Sequence, residues 1–187
     1  ENAAARVMSL YANAFPEAYK EDFGPRQGVA DLRHIEALSD ADDTRLTLYR
    51  EPNADPHDRR FKLFRRSSVL LSDIMPIFTD LGVRVTDERP YSMNRADGEL
   101  IHIYDFGLRA DDASVWGTDA ELGQVRERFQ DAFAAAWNGR SESDGLNALV
   151  LGAGLTARQV TVLRAVARYM RQVGLSFSQT YVEHALV

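Results

Sequence analysis

The chain has 187 residues, of which 45% are hydrophobic and 27% are charged, a balance typical of folded globular proteins. Its formal net charge of −6 argues against nucleic-acid binding, which needs a basic surface. No apolar run approaches the roughly 20 residues that span a bilayer, so we expect no membrane segment. Cysteine is absent, which excludes disulfides and thiolate metal sites and is typical of a reducing compartment. We therefore expect a cytoplasmic protein.

The first 43 residues predict a helical segment. Apolar residues recur at three- and four-residue steps from Val7 to Phe15, and residues 17–23 follow Pro16 as a second short helix. Pro25 is well placed as the first residue of a third helix. The acidic run of residues 39–43 is interpreted as a linker.

Residues 44–138 predict an α+β module. Alternating patterns indicate strands at residues 46–48, 61–65, 83–86 and 100–104. Helices are predicted at residues 72–81, with Ser72 as N-cap, and after Thr118, whose capping box would use Glu121. We expect a four-stranded, mainly antiparallel sheet that carries two helices on one face.

Residues 139–187 predict a helical connector. Thr156 and Gln159 form a second capping box, and Ser178 would cap a last helix with Tyr181 and Leu186 facing inward. The helical pattern is still unbroken at Val187, so we expect the connector to be truncated there.

One glycine pattern suggests an alternative. Residues 152–157 fit G-x-G-x-x-A, the dinucleotide-binding fingerprint, and an apolar run precedes them. The fingerprint also needs a strand before it and an acidic residue about 20 positions later, and no such acid is present. A helix end followed by the Thr156 cap is the favoured interpretation. The alternative is a nucleotide-binding or catalytic domain in its own right.

No other pattern predicts catalytic residues or a metal site. The four histidines are far apart, and acids such as Asp87 and Asp105 are interpreted as solvated strand ends. The basic residues from Arg59 to Arg66 are interpreted as one charged face of a strand. The chain has two lysines, Lys20 and Lys62, and neither has a glycine-rich or carboxylate-lined context, so we expect no lysine-dependent active site.

An ordered series of segments resembles the large bacterial NAD-dependent glutamate dehydrogenases. It covers nearly the whole chain and includes FPEAYKEDF at 15–23, FKLFR at 61–65, LSDIMP at 71–76, DERPY at 87–91, DFGLR at 105–109 and, in the tail, LRA at 163–165 and FSQ at 177–179. The resemblance implies a segment upstream of the catalytic domain, containing an ACT-like (ferredoxin-like) module between helical segments. It also implies a non-catalytic regulatory and assembly role in an enzyme that converts L-glutamate to 2-oxoglutarate and ammonia with NAD. No cofactor site is expected in this segment, and the expected partners are other domains and subunits of the same enzyme.

The resemblance also suggests an effector site and one departure from the family fold. ACT modules commonly bind an amino acid where the first strand turns into the first helix, and the matching turn here contains Arg66, Ser67 and Ser68. Such a turn suits an α-carboxylate. The alternative is that Ser72 or Ser68 caps the helix and that Arg65 and Arg66 are solvated. A regular ACT module runs βαββαβ, whereas this pattern runs ββαββα, so the strand at 46–50 is expected to take the place of the missing last strand.

Overall fold

The computed structural model describes residues 3–118, 120–174 and 178–186. The chain forms eight α-helices and four strands in these ranges, together with 3₁₀ turns at Ala113–Trp116 and Gly145–Ala148. In chain order, these are α1 (Ala3–Tyr11), α2 (Glu17–Asp22), α3 (Pro25–Glu36), β1 (Thr44–Tyr49), β2 (Asp58–Arg65), α4 (Leu71–Asp80), β3 (Arg84–Asn94), β4 (Leu100–Arg109), α5 (Leu122–Trp137), α6 (Leu149–Gly152), α7 (Ala157–Gln172) and α8 (Gln179–Leu186). None of these helices is long and apolar enough to cross a membrane.

The four strands form one antiparallel sheet in the order β1-β2-β4-β3. The predicted α+β class with a four-stranded antiparallel sheet is therefore confirmed. Strand β1 occupies the outer position beside β2, and β2 corresponds to the first strand of a regular βαββαβ module. A regular βαββαβ module places its last strand at this position. The order of strands in the sheet is thus kept although the order along the chain differs.

Strand β3 is much longer than its predicted four residues and contains Pro90. A proline is tolerated here because β3 is an edge strand, where one side of the backbone needs no ladder hydrogen bond. Tyr91 and Met93 are buried and alternate with exposed neighbours. The interpretation of Asp105 as a solvated strand end is wrong, because Asp105 is fully buried within β4. Asp87 is exposed and lies 3.6 Å from Arg89, as expected, but it lies within β3 and not at a strand end.

The chain divides into two compact units, and every strand of the sheet contributes to both. The first unit comprises Glu1–Thr47, Phe61–Val69 and Asp87–Phe106. Its core brings the amino-terminal helices onto the sheet, because helical side chains such as Tyr19 and Ile35 cluster with strand side chains such as Phe64 and Ile103. The rings of Tyr19 and Tyr91 meet edge to face, with centroids 5.4 Å apart.

The second unit comprises Leu48–Arg60, Leu70–Thr86 and Gly107–Val187. Phe78 of α4 packs against Phe133 of α5 with ring centroids 5.1 Å apart. Trp116 is fully buried, and its indole N–H donates a 2.9 Å hydrogen bond to the carbonyl oxygen of His57. A buried Trp N–H needs such a partner, and this bond ties the turn before α5 to the loop before β2.

The predicted helix starts hold only in part. Helix α4 begins at Leu71 and has no side-chain cap, so the assignment of Ser72 as N-cap is wrong. Pro76 lies at the sixth position, inside the helix. At α5, the Glu121 carboxylate accepts 2.9 Å hydrogen bonds from the Thr118 N–H and hydroxyl, but Glu121 itself is the N-cap residue.

The two predicted caps of the carboxyl-terminal helices are present. Helix α7 begins with a complete capping box at Thr156 and Gln159. Ser178 accepts a 3.1 Å hydrogen bond from the Tyr181 N–H at the start of α8. The prediction that α8 turns Tyr181 and Leu186 inward is wrong, because both are about half exposed. Val187 lies outside the described residues.

Candidate functional site

The predicted effector residues lie together in the turn between β2 and α4, in the first unit. The Arg66 guanidinium forms an ion pair with Glu99. The Ser67 hydroxyl accepts a 2.6 Å hydrogen bond from Arg65 Nε and donates one of 3.0 Å to the Ala41 carbonyl oxygen. Ser68 is exposed. A bound carboxylate would therefore have to compete with Glu99 for Arg66, while Ser68 is open to solvent.

The backbone after this turn is also engaged. The Val69 N–H donates a 3.2 Å hydrogen bond to the Tyr104 hydroxyl on β4. Side chains therefore hold the turn to the sheet. The Arg66 guanidinium of the turn lies beside the Glu99 carboxylate, which a ligand anion would have to displace. This arrangement suits a weak anion site that opens by exchange of one ion pair for another.

The glycine-rich segment at residues 152–157 does not have the dinucleotide-binding geometry. The apolar run before it forms helix α6, where a strand would be required. Gly154 has φ of +65°, and Thr156 then begins α7. The Gln159 side chain accepts a 2.8 Å hydrogen bond from the Thr156 N–H. The helix end and capping interpretation accounts for the pattern, and the structure gives no support to the nucleotide-binding alternative.

The basic residues of β2 are not one charged face. Arg59, Arg60 and Lys62 are all buried. Lys62 Nζ lies 2.5 Å from Asp31 Oδ2 with both side chains fully buried, so the expectation that neither lysine has a carboxylate context is wrong. The reason is that α3 covers this side of the sheet, and Asp31 on α3 supplies the countercharge that burial of an ammonium group requires.

The same carboxylate organises its helical surroundings. Asp31 also accepts a 2.6 Å hydrogen bond from the Tyr19 hydroxyl and one of 2.8 Å from Gln27 Nε2. Burial, followed by the hydrogen bond to Asp31, raises the pKa of Tyr19 well above its ordinary value. The Tyr19 hydroxyl therefore stays protonated and donates to Asp31. Lys62 Nζ lies 3.5 Å from the ring centre of Phe23, a cation–π contact.

An apolar hollow of about 390 Å³ lies beside this cluster in the first unit. Aromatic side chains at four-residue spacing, Phe15, Tyr19 and Phe23, form one wall, and Val29 and Leu32 of α3 line it as well. Its size is within the range of small-molecule pockets, but its lining is almost wholly apolar. The four-residue aromatic spacing is the one sequence signal that could have indicated it.

The histidines whose side chains the structure describes do not form a site. His34 stacks on Phe64 with ring centroids 5.0 Å apart, and burial lowers its pKa. His57 is hydrogen-bonded to Asp55 at 2.8 Å in the other unit. Within the described ranges, no group of three or more histidine or acidic side chains is placed to hold a metal ion.

A buried arginine in the second unit was not anticipated from the sequence. Arg164 of α7 makes two hydrogen bonds of 2.7 and 2.8 Å to the Asp144 carboxylate and one of 2.6 Å to Asn147 Oδ1. Burial by itself would raise the pKa of Asp144, but the hydrogen bonds from Arg164 and the Leu146 N–H and the charges of Arg164 and Arg168 together outweigh it and lower the pKa. This bidentate pair fixes α7 to the loop after α5 and has a structural role.

Three family models match successive parts of the chain. They are described as glutamate dehydrogenase helical motif 2 (residues 1–38), the ACT3 domain (residues 43–122) and helical motif 3 (residues 141–187). Together the three ranges cover most of the chain, which is therefore similar to a segment of the large glutamate dehydrogenases. The matched ranges place α1–α3 in helical motif 2, all four strands in the ACT3 domain and α6–α8 in helical motif 3. The boundaries predicted at 43/44 and 138/139 remain predictions.

Curated relatives align over the same length. NAD-specific glutamate dehydrogenases of Halomonas elongata and Pseudomonas aeruginosa are 37% and 35% identical over all 187 residues. That of Mycobacterium tuberculosis is 38% identical over 177 residues, 94% of this chain. The chain spans about 11% of the length of each relative. It corresponds to a non-catalytic ACT and helical-motif region of these enzymes.

Proposed function

We propose that the chain is a regulatory and assembly segment of an NAD-specific glutamate dehydrogenase. The whole enzyme would oxidise L-glutamate to 2-oxoglutarate and ammonia, with NAD bound outside this segment. Its partners would be other domains and subunits of the same enzyme, in the cytoplasm. The relatives' printed names support the substrate and cofactor.

The observation that carries this proposal is the arrangement of the sheet. Strand β1 completes an ACT-type sheet from the amino-terminal side, so the module keeps its four strands although no strand follows α5 in residues 138–174 and 178–186. The chain after α5 is then not needed for the sheet and would form the helical connector with α6, α7 and α8. A module that is complete as a sheet and continuous with helices at both ends suits the transmission of a binding event between domains.

We further propose that the turn at Arg66, Ser67 and Ser68 is where an amino-acid effector binds. The effector α-carboxylate would replace Glu99 on Arg66, and the Ser68 hydroxyl would donate to it. The supporting observations are the existing Arg66–Glu99 ion pair and the exposure of Ser68. Without a ligand, the same turn would serve only to connect β2 with α4.

The experiment is calorimetry of the intact enzyme with a panel of amino acids, combined with glutamate oxidation assays. We expect one amino acid to bind and to shift the glutamate concentration for half-maximal rate. Arg66→Ala and Ser68→Ala should weaken its binding about tenfold or more, as the loss of a charge-assisted hydrogen bond predicts. Arg84→Ala is the matched control, because Arg84 is also paired with an acid, Asp111, at 2.5 Å but lies in the other unit.

Two results would contradict these proposals separately. Equal binding to the wild type, Arg66→Ala and Ser68→Ala would reject the turn as the site. Binding of no amino acid at all would reject the regulatory role and leave the module as a structural spacer or interface.

A further inference from the structure

A chain of ion pairs runs from the turn after β2 to the amino-terminal helices, within the first unit. The Glu99 carboxylate is shared between two guanidinium groups: it pairs with Arg66 of the turn, and its Oε2 lies 2.6 Å from Arg95 Nη1. The same Arg95 nitrogen lies 3.9 Å from Oε1 of Glu36, the last residue of α3. Glu36 in turn accepts a 2.6 Å hydrogen bond from the Tyr11 hydroxyl of α1. The turn and the helices are therefore connected through four charged side chains.

The middle of this chain of ion pairs is partly sheltered from solvent. The side chain of Arg95 is 12% exposed, and those of Glu36 and Glu99 are 24% and 29% exposed. Water and salt screen such charges less than fully exposed ones. The Arg95 guanidinium also lies 5.4 Å from the centre of the Tyr11 ring, in a cation–π contact. A shift of Arg95 would therefore change its contacts with both α1 and α3.

Arg95 is the residue at which partners can be exchanged. Its Nη2 is held by Asp97 at 2.6 Å, whereas its Nη1 lies between two carboxylates. The Glu36 contact is the longer of these two, and thus the weaker. Within the described residues, Glu99 pairs with no cation other than Arg66 and Arg95. If Glu99 loses Arg66, its remaining cation is Arg95, and it would draw Nη1 further from Glu36.

We propose that this chain of ion pairs carries the state of the turn to α1 and α3, with Arg95 as the residue that changes partner. An effector carboxylate on Arg66 would repel Glu99 toward Arg95, and Arg95 would then weaken its contacts with Glu36 and the Tyr11 ring. Coupling between two places needs an element with two arrangements, here the two pairings of Arg95. The inference rests on the proposed effector site and specifies where its signal goes, since α1–α3 lie in the range that helical motif 2 matches.

The test is hydrogen–deuterium exchange of the intact enzyme, read by mass spectrometry of the α1 peptide. Arg66→Ala removes the same Arg66–Glu99 pair that an effector would replace, so no effector is needed. We expect the α1 amides to exchange about threefold faster in Arg66→Ala than in the wild type, the size expected for loss of one partly exposed ion pair. Arg84→Ala is the matched control and should leave α1 unchanged, because its pair with Asp111 lies in the other unit.

Two further variants decide whether the effect passes along the chain of ion pairs. Arg95→Met removes the exchanging cation and keeps an unbranched apolar side chain. Glu36→Gln removes the charge, while its amide oxygen can still accept from the Tyr11 hydroxyl. In either background, adding Arg66→Ala should change α1 exchange by less than about 1.5-fold.

Two results would overturn the inference. One is an unchanged α1 exchange rate in Arg66→Ala alone. The other is an equal threefold effect of Arg66→Ala in the wild type, Arg95→Met and Glu36→Gln, which would mean that the effect reaches α1 by another route. The exchange experiment contains no effector, so its outcome does not depend on whether an amino acid binds at the turn. Failure of the ion-pair route is thereby distinguished from failure of the effector site.

Discussion

The two lysines of the chain occupy opposite environments. Lys20 lies on the surface, 2.7 Å from Glu17, whereas Lys62 and its partner Asp31 are fully buried. Surface pairs contribute between zero and about 1 kcal/mol, but removal of one member of a buried pair costs about 3–5 kcal/mol because the other charge stays in the interior. Replacing each lysine with methionine therefore compares a buried ion pair with a surface one.

We expect Lys62→Met to lower the free energy of unfolding by about 3 kcal/mol, at the lower end of that range because Tyr19 and Gln27 still donate to Asp31. Lys20→Met should change it by less than about 0.5 kcal/mol. Urea unfolding of the chain measures both. Similar effects of the two substitutions would mean that the buried ion pair does not contribute to stability as argued here.

His34 predicts a dependence of stability on pH. Burial lowers its pKa below the ordinary value of about 6.5, with Arg45 and Lys62 acting in the same direction and Asp31 against them. Protonation of His34 therefore favours the unfolded chain. The stability that is present above about pH 6.5 is lost as the pH falls from 6.5 toward the lower pKa of the folded state. His34→Phe should reduce this loss while keeping a ring against Phe64. Thermal unfolding between about pH 7.5 and 5 measures the slope, and an unchanged slope in the variant would contradict the assignment. His102, whose pKa burial also lowers, supplies a remaining slope.

At the residue scale, the sequence could not have predicted the Lys62 environment. The apolar residues Phe61 and Leu63 on either side of Lys62 indicate a strand and favour a solvated face for Lys62. That inference assumes a sheet covered on one face. In the structure α3 covers the second face, and Asp31 is 31 positions away in sequence, so no local pattern links the two residues. The turn residues 66–68 were placed correctly between strand and helix because their signal is local.

At the level of elements, two glycines have different backbone conformations: Gly82 is in the left-handed region, and Gly123 is in a helix. Gly82 ends α4 with φ of +81°, and a Cβ there would lie 3.2 Å from the Ala148 Cβ. Gly123 lies in the first turn of α5 with open space around it. We expect Gly82→Ala to destabilise the chain by about 1–2 kcal/mol, since an L-residue is strained in the left-handed region. Gly123→Ala should stabilise it by about 0.5–1 kcal/mol through helix propensity. Chemical denaturation of both variants decides this, and destabilisation by Gly123→Ala would count against the helical start at Leu122.

The elements themselves were largely predictable, whereas their ends were less so. All four strands lie where alternation indicated them, and the Thr156–Gln159 box starts α7 as predicted. Strand β3 was predicted too short because Asp87 and Pro90 look like strand breakers. Their positions are acceptable only on an edge strand, and the edge is fixed by sheet order, which is a tertiary property. The N-cap of α4 was also misplaced. Leu70 is the N-cap residue, the helix begins at Leu71, and no side chain caps it, so Ser72 lies inside the helix.

For the whole molecule, the order of segments along the chain was more informative than any single motif. The G-x-G-x-x-A pattern is short and has two physical explanations, a phosphate-binding turn and a helix end followed by a cap. Only the element before it separates them, and α6 is a helix. The long ordered resemblance covers every unit of the fold, so it identified the family where the motif suggested a different kind of protein.

This conclusion predicts that the chain does not bind NAD. Gly152 has open space around it and no positive φ, so Gly152→Ala should leave the fold intact. In a true fingerprint, the added methyl group would block approach of the pyrophosphate to the backbone. We expect calorimetric titration to show no binding tighter than about 1 mM for the wild type, and the same for Gly152→Ala. Micromolar binding that Gly152→Ala abolishes would restore the nucleotide-binding alternative. If Gly152 only ends a helix, replacing it with alanine should not change the affinity for NAD.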